Sequence, residues 1–485
     1  MRKWFALVLS VCMMTFVLTA CTDDPVESSP DSQTGSTGGN DEYELPVIDS
    51  VSGTVTYAVR DNVIDETEIW VESFEKMYPN INVELEEFVG DLYEFLSTRA
   101  AAQTLPDVVL GWDNLAPFVQ QNWLYPLDEF LEKDEETQYI HQVSLDGFKY
   151  CGKTYAVPAW LQFSCMVVNL DLLDTLNLDR PDYDWTIDEF TELVRKATNN
   201  TYSGLNHTDS LDQYLMMQLE EDGYHQWGYN PETQTFNLTS GAFQEAVSIV
   251  SELERQPQLV ADNMRDSSNS ANDDYSKKFG ANADALADGK ILVANQSTWD
   301  DSWLNTSLTF NWDYYPIPAA TKESAKQIVH ADYGVMLSTA QDPQAAWEFL
   351  KFLTFGKDGL ITRMNLQRER NESNPTNNRF TIPASSHPEV SELFNGYENV
   401  PDGVKYMYNH MDKSVKGDYS KILPDYWDVV NDNIYQAKVS ISEGTDAAAV
   451  ARETENTINQ QFSASYAAFT AAVEQVQADF EASRQ

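Results

Sequence analysis

Strand and helix patterns alternate along the chain, and this alternation limits the fold more than any other feature of the sequence. Alternate residues of 55–59 are apolar, as in a half-buried strand, and apolar residues at helical spacing follow until Pro79. The segments 81–85, 92–100 and 108–110 then read as strand, helix and buried strand. Such alternation predicts an α/β fold, with a mostly parallel sheet covered by helices on both faces. Ligands of such sheets bind beyond the carboxyl ends of the strands.

The N-terminus has the pattern of a lipoprotein signal. A short basic start precedes an apolar run that ends near Leu18 and is too short for a typical membrane span. Leu18-Thr19-Ala20-Cys21 resembles a lipobox, so we expect a signal peptide over residues 1–20 and lipidation of Cys21. The alternative is an ordinary signal peptide with an incidental Cys. Residues 21–50 are rich in Ser, Gly, Pro and acidic residues, which predicts a flexible linker.

Composition excludes two classes of protein. The chain has 485 residues, 77 acidic and 31 basic, with a net charge of -46 that would repel nucleic acid. Hydrophobic residues at 42% are too many for a disordered acidic chain. The length suggests two or three domains. Beyond the linker the chain has two cysteines, Cys151 and Cys165, which do not make a disulfide framework or a zinc site, and we expect both to be buried apolar residues.

Enzyme motifs are weak in this sequence. Residues 147–154 match the phosphate-loop pattern, but a strand-like segment stopped by Pro158 follows instead of a helix. We therefore expect a β-hairpin turn at Gly152-Lys153. No nucleophile elbow or zinc-binding His spacing is present, so we expect no catalytic residues, metal or cofactor. A pair of carboxylates of the glycosidase kind stays open, because the acidic residues are so numerous.

Tryptophans accompanied by polar residues occur near the predicted strand ends. Trp112 with Asp113 follows the strand at 108–110, and Trp160 with Gln162 follows an expected break at residues 157–158. Trp299 follows the strand at residue 291, and Tyr333 precedes another strand. Aromatic faces stack on the C–H faces of sugar rings while carboxylates and amides bond to their hydroxyls. The combination favours a neutral polyhydroxylated ligand bound in a cleft.

Several segments also carry, in order, the motifs of a known family. They are Phe74–Glu84 (FEKMYPNINVE), Leu96–Asp107, Trp123–Leu127 (WLYPL), Gly152–Pro158 (GKTYAVP), Asn169–Asp171, Trp185–Phe190 and Ala346–Leu353 (AWEFLKFL). On these segments the chain resembles the family 1 extracellular solute-binding proteins, the maltose and oligosaccharide type that serves ABC importers.

The resemblance implies a two-lobed periplasmic-binding-protein-like fold of type II, hinged around a cleft. Lobe 1 would comprise residues 51–160 and 331–357, and lobe 2 residues 161–330 and 358–485. The implied ligand-binding residues are Arg60, Asp61, Trp112, Asp113, Trp160, Gln162, Trp299, Tyr333 and Trp427. Tyr426 is an alternative to Trp427.

The resemblance implies a receptor outside the cell, lipid-anchored to the cytoplasmic membrane, that delivers a sugar or oligosaccharide to an ABC permease. We expect it to be a monomer that is not an enzyme and does not bind nucleic acid. Three alternatives stay open: a secreted carbohydrate-active enzyme, a sensor or adhesion protein, and a binding protein for a polyamine or peptide.

Overall fold

The computed structural model describes residues 43–374 and 379–483. The predicted signal peptide, the lipidation of Cys21 and nearly all of the predicted linker lie outside the described residues. Within the described residues, no helix has the length and apolar character needed to cross a membrane.

The described residues form strands and helices in alternation, as predicted. The strands are β1 (Gly53–Arg60), β2 (Ile81–Phe88), β3 (Val108–Gly111), β4 (Lys149–Tyr150), β5 (Lys153–Thr154), β6 (Val157–Asn169), β7 (Ser203–Leu205), β8 (Tyr229–Asn230), β9 (Thr235–Phe236), β10 (Ile291–Ser297), β11 (Trp312–Pro316), β12 (Gln327–Met336) and β13 (Ser414–Lys416). The α-helices are α1 (Ile64–Met77), α2 (Leu92–Ala102), α3 (Ala116–Gln120), α4 (Asp128–Leu131), α5 (Gln142–Leu145), α6 (Leu170–Leu176), α7 (Ile187–Ala197), α8 (Leu211–Leu219), α9 (Ala242–Glu254), α10 (Asp274–Phe279), α11 (Asp301–Ser307), α12 (Pro343–Leu353), α13 (Lys357–Ser373), α14 (Pro388–Gly396), α15 (Asp402–Asn409), α16 (Asp432–Ser442) and α17 (Ala447–Ser483).

The first three strands form the predicted parallel unit. β1 pairs in parallel with β2 on one side and with β3 on the other. Helices α1 and α12 pack on this unit through aromatic residues: the ring of Phe349 lies 4.9 Å from Phe74 and 5.4 Å from Tyr57. Their burial fixes the helices against the sheet and leaves the carboxyl ends of β1 and β3 side by side.

Two long strands cross the middle of the sheet. The strand order is β2-β1-β3-β12-β6-β10-β7, with β11 added on β6 and β13 on β12. β12 is antiparallel to β3 and β6, and β6 is antiparallel to β10 and β11, whereas β10 pairs in parallel with β7. Parallel units therefore lie at both ends of the sheet, and β6 and β12 run between them.

The hairpin prediction is confirmed, and the predicted break before Trp160 is wrong. β4 and β5 pair around Cys151 and Gly152, which both have positive φ, so the turn begins one residue earlier than expected. Pro158 lies inside β6, at a bulge in the pairing with β12. A bulge tolerates a residue without an N–H, so the strand continues through the proline.

The C-terminal apolar stripe from Phe462 to Phe480 predicts a long helix packed on the body, and α17 confirms it. Phe462 packs against the aromatic rings of Tyr229 and Phe236, and Phe480 against Tyr125. The apolar stripe therefore packs against other segments of the same chain, as predicted for a helix that covers the body of the protein. The two cysteines of the folded part carry free thiols: Cys165 is buried, as expected, and Cys151 only partly so.

Candidate functional site

The pairing of β6 with β12 places polar side chains on one face of the crossing strands. Trp160 lies opposite Asp332, and Gln162 lies opposite His330. Because directly paired residues of antiparallel strands share a face, and every second residue returns to it, these four side chains are neighbours. The indole Nε1 of Trp160 donates a hydrogen bond to Asp332 Oδ2 at 2.8 Å.

Trp299 joins this face from the end of β10. The turn after β10 begins with Thr298, whose Oγ1 donates to Gln162 Oε1 at 2.5 Å and accepts from the backbone N–H of Phe163 at 2.9 Å. The ring of Trp299 meets the ring of His330 edge-on at 5.1 Å and is 51% exposed. A fixed turn therefore presents an open aromatic surface beside the crossing strands.

His330 is a buried, neutral part of this face. The ring Nε2 lies 2.8 Å from the hydroxyl of Ser164, which is also buried. Burial lowers the pKa of His330 to about 4, against an opposing effect of Asp418. The imidazole is thus uncharged near neutral pH, and it supports Trp299 as a packed ring.

A second group of side chains gathers where β1 and β3 end. Arg60 is the last residue of β1, and its guanidinium donates to the carbonyl of Gly90 at 2.6 Å. The same guanidinium lies 4.2 Å from the centre of the Trp112 ring and 3.8 Å from Asp113 Oδ2. Trp112 is 45% exposed. Burial and the nearby Asp91 raise the pKa of Asp113, and Arg60 opposes them.

A chain of paired charges begins at the end of β13. The Nζ of Lys421 lies 2.6 Å from Asp332 Oδ1 and 3.8 Å from Asp418 Oδ2. Asp418 also pairs with Lys416 at 3.3 Å and accepts the backbone N–H of Ala331 at 2.8 Å. Burial alone would raise the pKa of Asp418, but the two lysines hold it below its usual value. The carboxylate is therefore ionised and stabilised by paired charges.

The two groups form one site because the segment after β13 is bonded to the loop after β3. The backbone N–H of Leu115 donates to the carbonyl of Lys421 at 2.8 Å. The side chain of Asn114 donates to the carbonyls of Ser420 and Leu423 at 2.9 and 2.8 Å. The charge of Lys421 also reaches the group at the ends of β1 and β3, where it lowers the pKa of Asp113 while burial raises it.

The structure thus brings six of the predicted residues together: Arg60, Trp112, Asp113, Trp160, Gln162 and Trp299. Asp61 is exposed and begins the short turn after β1. Trp427 is 60% exposed, and its ring meets the ring of the buried Tyr426 edge-on at 5.6 Å. Its place in the site stays a prediction, as do the ligand-binding roles of the other predicted residues.

Tyr333 is the predicted residue that the structure separates from this face. It lies inside β12, not ahead of a strand, and it follows Asp332 directly, so its side chain points to the other face. The ring is 0% exposed and meets Phe148 at 5.8 Å. In this structure the Tyr333 ring is buried, and its ligand-binding role stays a prediction.

Sequence reasoning missed His330, Asp332, Thr298, Asp418 and Lys421. The alternation of His330 and Asp332 within an otherwise apolar strand was a usable signal, since it marks one polar face. Nothing in the sequence pairs Lys421 with Asp332, because 89 positions separate them.

The ion-paired charges of the site balance one another. Three cations, Arg60, Lys416 and Lys421, form ion pairs with three carboxylates, Asp113, Asp332 and Asp418. The described residues contain no group of three or more His, Cys, Asp or Glu side chains arranged to hold a metal ion. The arrangement can offer a ligand aromatic surface and hydrogen-bonding groups.

Pockets also lie elsewhere on the described part of the chain. A cavity of about 930 Å³ is lined by residues that include His141 and Tyr408, and one of about 450 Å³ lies beside Phe480. Neither contains the tryptophans of the site.

Comparison with known proteins identifies the sequence family. The model of the family described as bacterial extracellular solute-binding protein matches residues 52–355. This match covers β1 to α12 and includes most of the residues of the site; the segment of β13 and Lys421 lies beyond it.

Solved structures of similar proteins share the fold. An ABC substrate-binding protein from Listeria monocytogenes in complex with cycloalternan is 16% identical, with a TM-score of 0.60 over 85% of this chain and 99% of that chain. The sugar-binding protein MalE from Xanthomonas citri is 14% identical, with a TM-score of 0.60 over 85% and 98%. The GacH receptor of Streptomyces glaucescens, studied in complex with acarbose, is 18% identical, with a TM-score of 0.58 over 85% and 98%. At these identities the likeness concerns the fold, which is the predicted two-lobed type II fold.

Proposed function

The chain belongs to the bacterial extracellular solute-binding protein family, and from this premise we propose that it binds a neutral saccharide and delivers it to an ABC permease. The saccharide lies between two lobes, against Trp112 and Trp160 of the first lobe and Trp299 of the second. The proposed lobes have the boundaries predicted from the sequence, 51–160 with 331–357 and 161–330 with 358–485. The receptor is held at the membrane by a lipid on Cys21 and acts as a monomer without catalysis.

The observation that carries the ligand class is the combination of exposed tryptophans with lysine and arginine charges that are already paired with carboxylates of the protein. Trp112 and Trp299 keep about half of their surface exposed, which is costly in water unless a ligand covers it. The ion-paired side chains of the site sum to zero in a chain whose net charge is -46. A cationic ligand would favour unpaired carboxylates, and an anionic ligand an excess of basic groups. A neutral ring with C–H faces and hydroxyls fits both features.

The relatives support the same ligand class. The Listeria protein carries cycloalternan, and the Streptomyces receptor was studied with acarbose; both ligands are saccharides. Closure of the lobes around such a ligand would bury the tryptophans and present a changed surface to the permease.

Thermal melting of the purified protein tests the proposal. The panel consists of maltotriose, raffinose and cycloalternan, with spermidine and a tripeptide as controls. A ligand at 100 times its dissociation constant adds about 2.7 kcal/mol to the free energy of unfolding, which raises the melting temperature measurably. We expect one or more saccharides to raise it and to be recovered unaltered. Cleavage of the saccharide would support the enzyme alternative instead, and a shift with spermidine or the peptide alone would refute the ligand class.

A further inference from the structure

The indole N–H of Trp160 is already used inside the protein. It donates to Asp332 Oδ2 at 2.8 Å, and the other oxygen of the same carboxylate accepts from Lys421 Nζ at 2.6 Å. One carboxylate thus links the aromatic side chain to the lysine. Because the donor is occupied, Trp160 can offer a ligand its ring surface but no hydrogen bond.

The lysine is held in turn from two directions. Asp418 lies 3.8 Å from its Nζ, and Asp418 is itself fixed by Lys416 and by the backbone N–H of Ala331. The carbonyl of Lys421 accepts from the backbone N–H of Leu115, three residues after Trp112. Lys421 is therefore anchored to both the crossing strand β12 and the loop that carries Trp112.

The backbone at Asp332 adds a geometric reason for the link. The pairing of β6 with β12 changes register between Asp332 and Tyr333, so Trp160 and Asp332 stand at a β-bulge. Bulges redirect side chains and weaken the regular ladder, so the indole there needs another restraint. The hydrogen bond to the charged carboxylate supplies one, and bonds of this kind are stronger than neutral ones.

We infer that Asp332 and Lys421 are positioning residues of the ligand site, which hold the ring of Trp160 in the orientation that stacks on a saccharide. Lys421 acts through Asp332 and Trp160 and makes no ion pair with the ligand. This inference rests on the proposed binding function. It predicts that removal of the lysine charge weakens saccharide binding only when Trp160 is present.

The test measures saccharide affinity by calorimetry in four proteins: the wild type, Lys421→Met, Trp160→Phe and the double variant. Met keeps the packing of the aliphatic stem and removes the ammonium group, and Phe keeps an aromatic ring and removes the donor. We expect Lys421→Met to weaken binding of the panel saccharide about tenfold in the wild type and less than about twofold beside Trp160→Phe. Lys421→Arg should restore most of the affinity, since it keeps the charge.

A matched control separates positioning from stability. Lys438 Nζ pairs with Asp212, a buried carboxylate outside the site, at 2.6 Å. Lys438→Met should lower the melting temperature in the same way as Lys421→Met and leave the affinity unchanged. The Trp160 indole proton, assigned by NMR from its absence in Trp160→Phe, should exchange faster with water in Lys421→Met than in the wild type, without any ligand.

The outcomes are distinguishable. If the wild type binds no saccharide of the panel, the proposed function fails and this inference fails with it. If the wild type binds and Lys421→Met binds equally well, the function stands and the inference is overturned. An equal loss of affinity with and without Trp160 would also overturn it, because Lys421 would then act on the ligand directly.

Discussion

Truncation of the exposed tryptophans should weaken ligand binding by an amount that follows from their exposure. Trp299 is 51% exposed and Trp112 is 45% exposed. Since a large aromatic side chain has up to about 250 Å² of surface, each offers about 120 Å² to a ligand, and a ring stacked on one face covers about half of that. At about 25 cal/mol per Å², 60 Å² corresponds to about 1.5 kcal/mol, or about a tenfold loss of affinity.

Isothermal titration calorimetry of Trp299→Ala and Trp112→Ala with the saccharide found by thermal melting measures this loss directly. About half of each side chain is buried, against His330 and Arg60, so the melting temperature without ligand should also fall, and the titrations are made well below it. Each variant should also show a less negative heat-capacity change on binding, because less apolar surface is buried.

Tyr435 provides the matched control. It is 62% exposed on α16 and lies outside the site, so Tyr435→Ala should bind as the wild type does. If Trp299→Ala and Trp112→Ala also bind as tightly as the wild type, the stacking argument is refuted and the ligand lies elsewhere.

Three further predictions concern the residues that shape the site and the fold. The pKa of His330 is about 4 in the folded protein and 6.5 in the unfolded chain. As the pH falls below 6.5, the unfolded chain takes up a proton on this histidine and the folded protein does not. The free energy of unfolding therefore falls by up to about 3 kcal/mol between pH 6.5 and 4. In urea denaturation His330→Gln should lose less stability than the wild type over that range, and an equal loss in both proteins would contradict this. Asp418→Asn leaves the buried Lys416 without a full charge partner and should lower the free energy of unfolding by about 3–5 kcal/mol, whereas a loss below about 1 kcal/mol would refute the importance of the pair. Gly204→Ala places a Cβ 2.1 Å from a carbonyl oxygen of α7 and should destabilise the protein by about 3 kcal/mol; Gly396→Ala, which meets nothing within 4 Å, should be close to neutral, and equal melting temperatures for both variants would show that the clash is relieved.

The site shows how far the sequence could lead. Trp112 and Asp113 were predictable because they directly follow a short apolar strand, and strand ends of α/β folds carry ligand residues. Tyr333 was misplaced because the sequence does not show where β12 begins. In a strand, a difference of one position exchanges the exposed face for the core.

The sequence by itself determined the alternation of strands and helices, the two-lobed fold through its family motifs, and the tryptophans near the strand ends. These features depend on local periodicity and on short motifs, which a linear sequence contains. Tertiary structure alone decided that Asp332 faces Trp160 and that Lys421 neutralises Asp332. The first depends on the register of β6 and β12, and the second on a contact between distant segments of the chain. A charge away from water needs an opposite charge close by, and only the folded chain places one there.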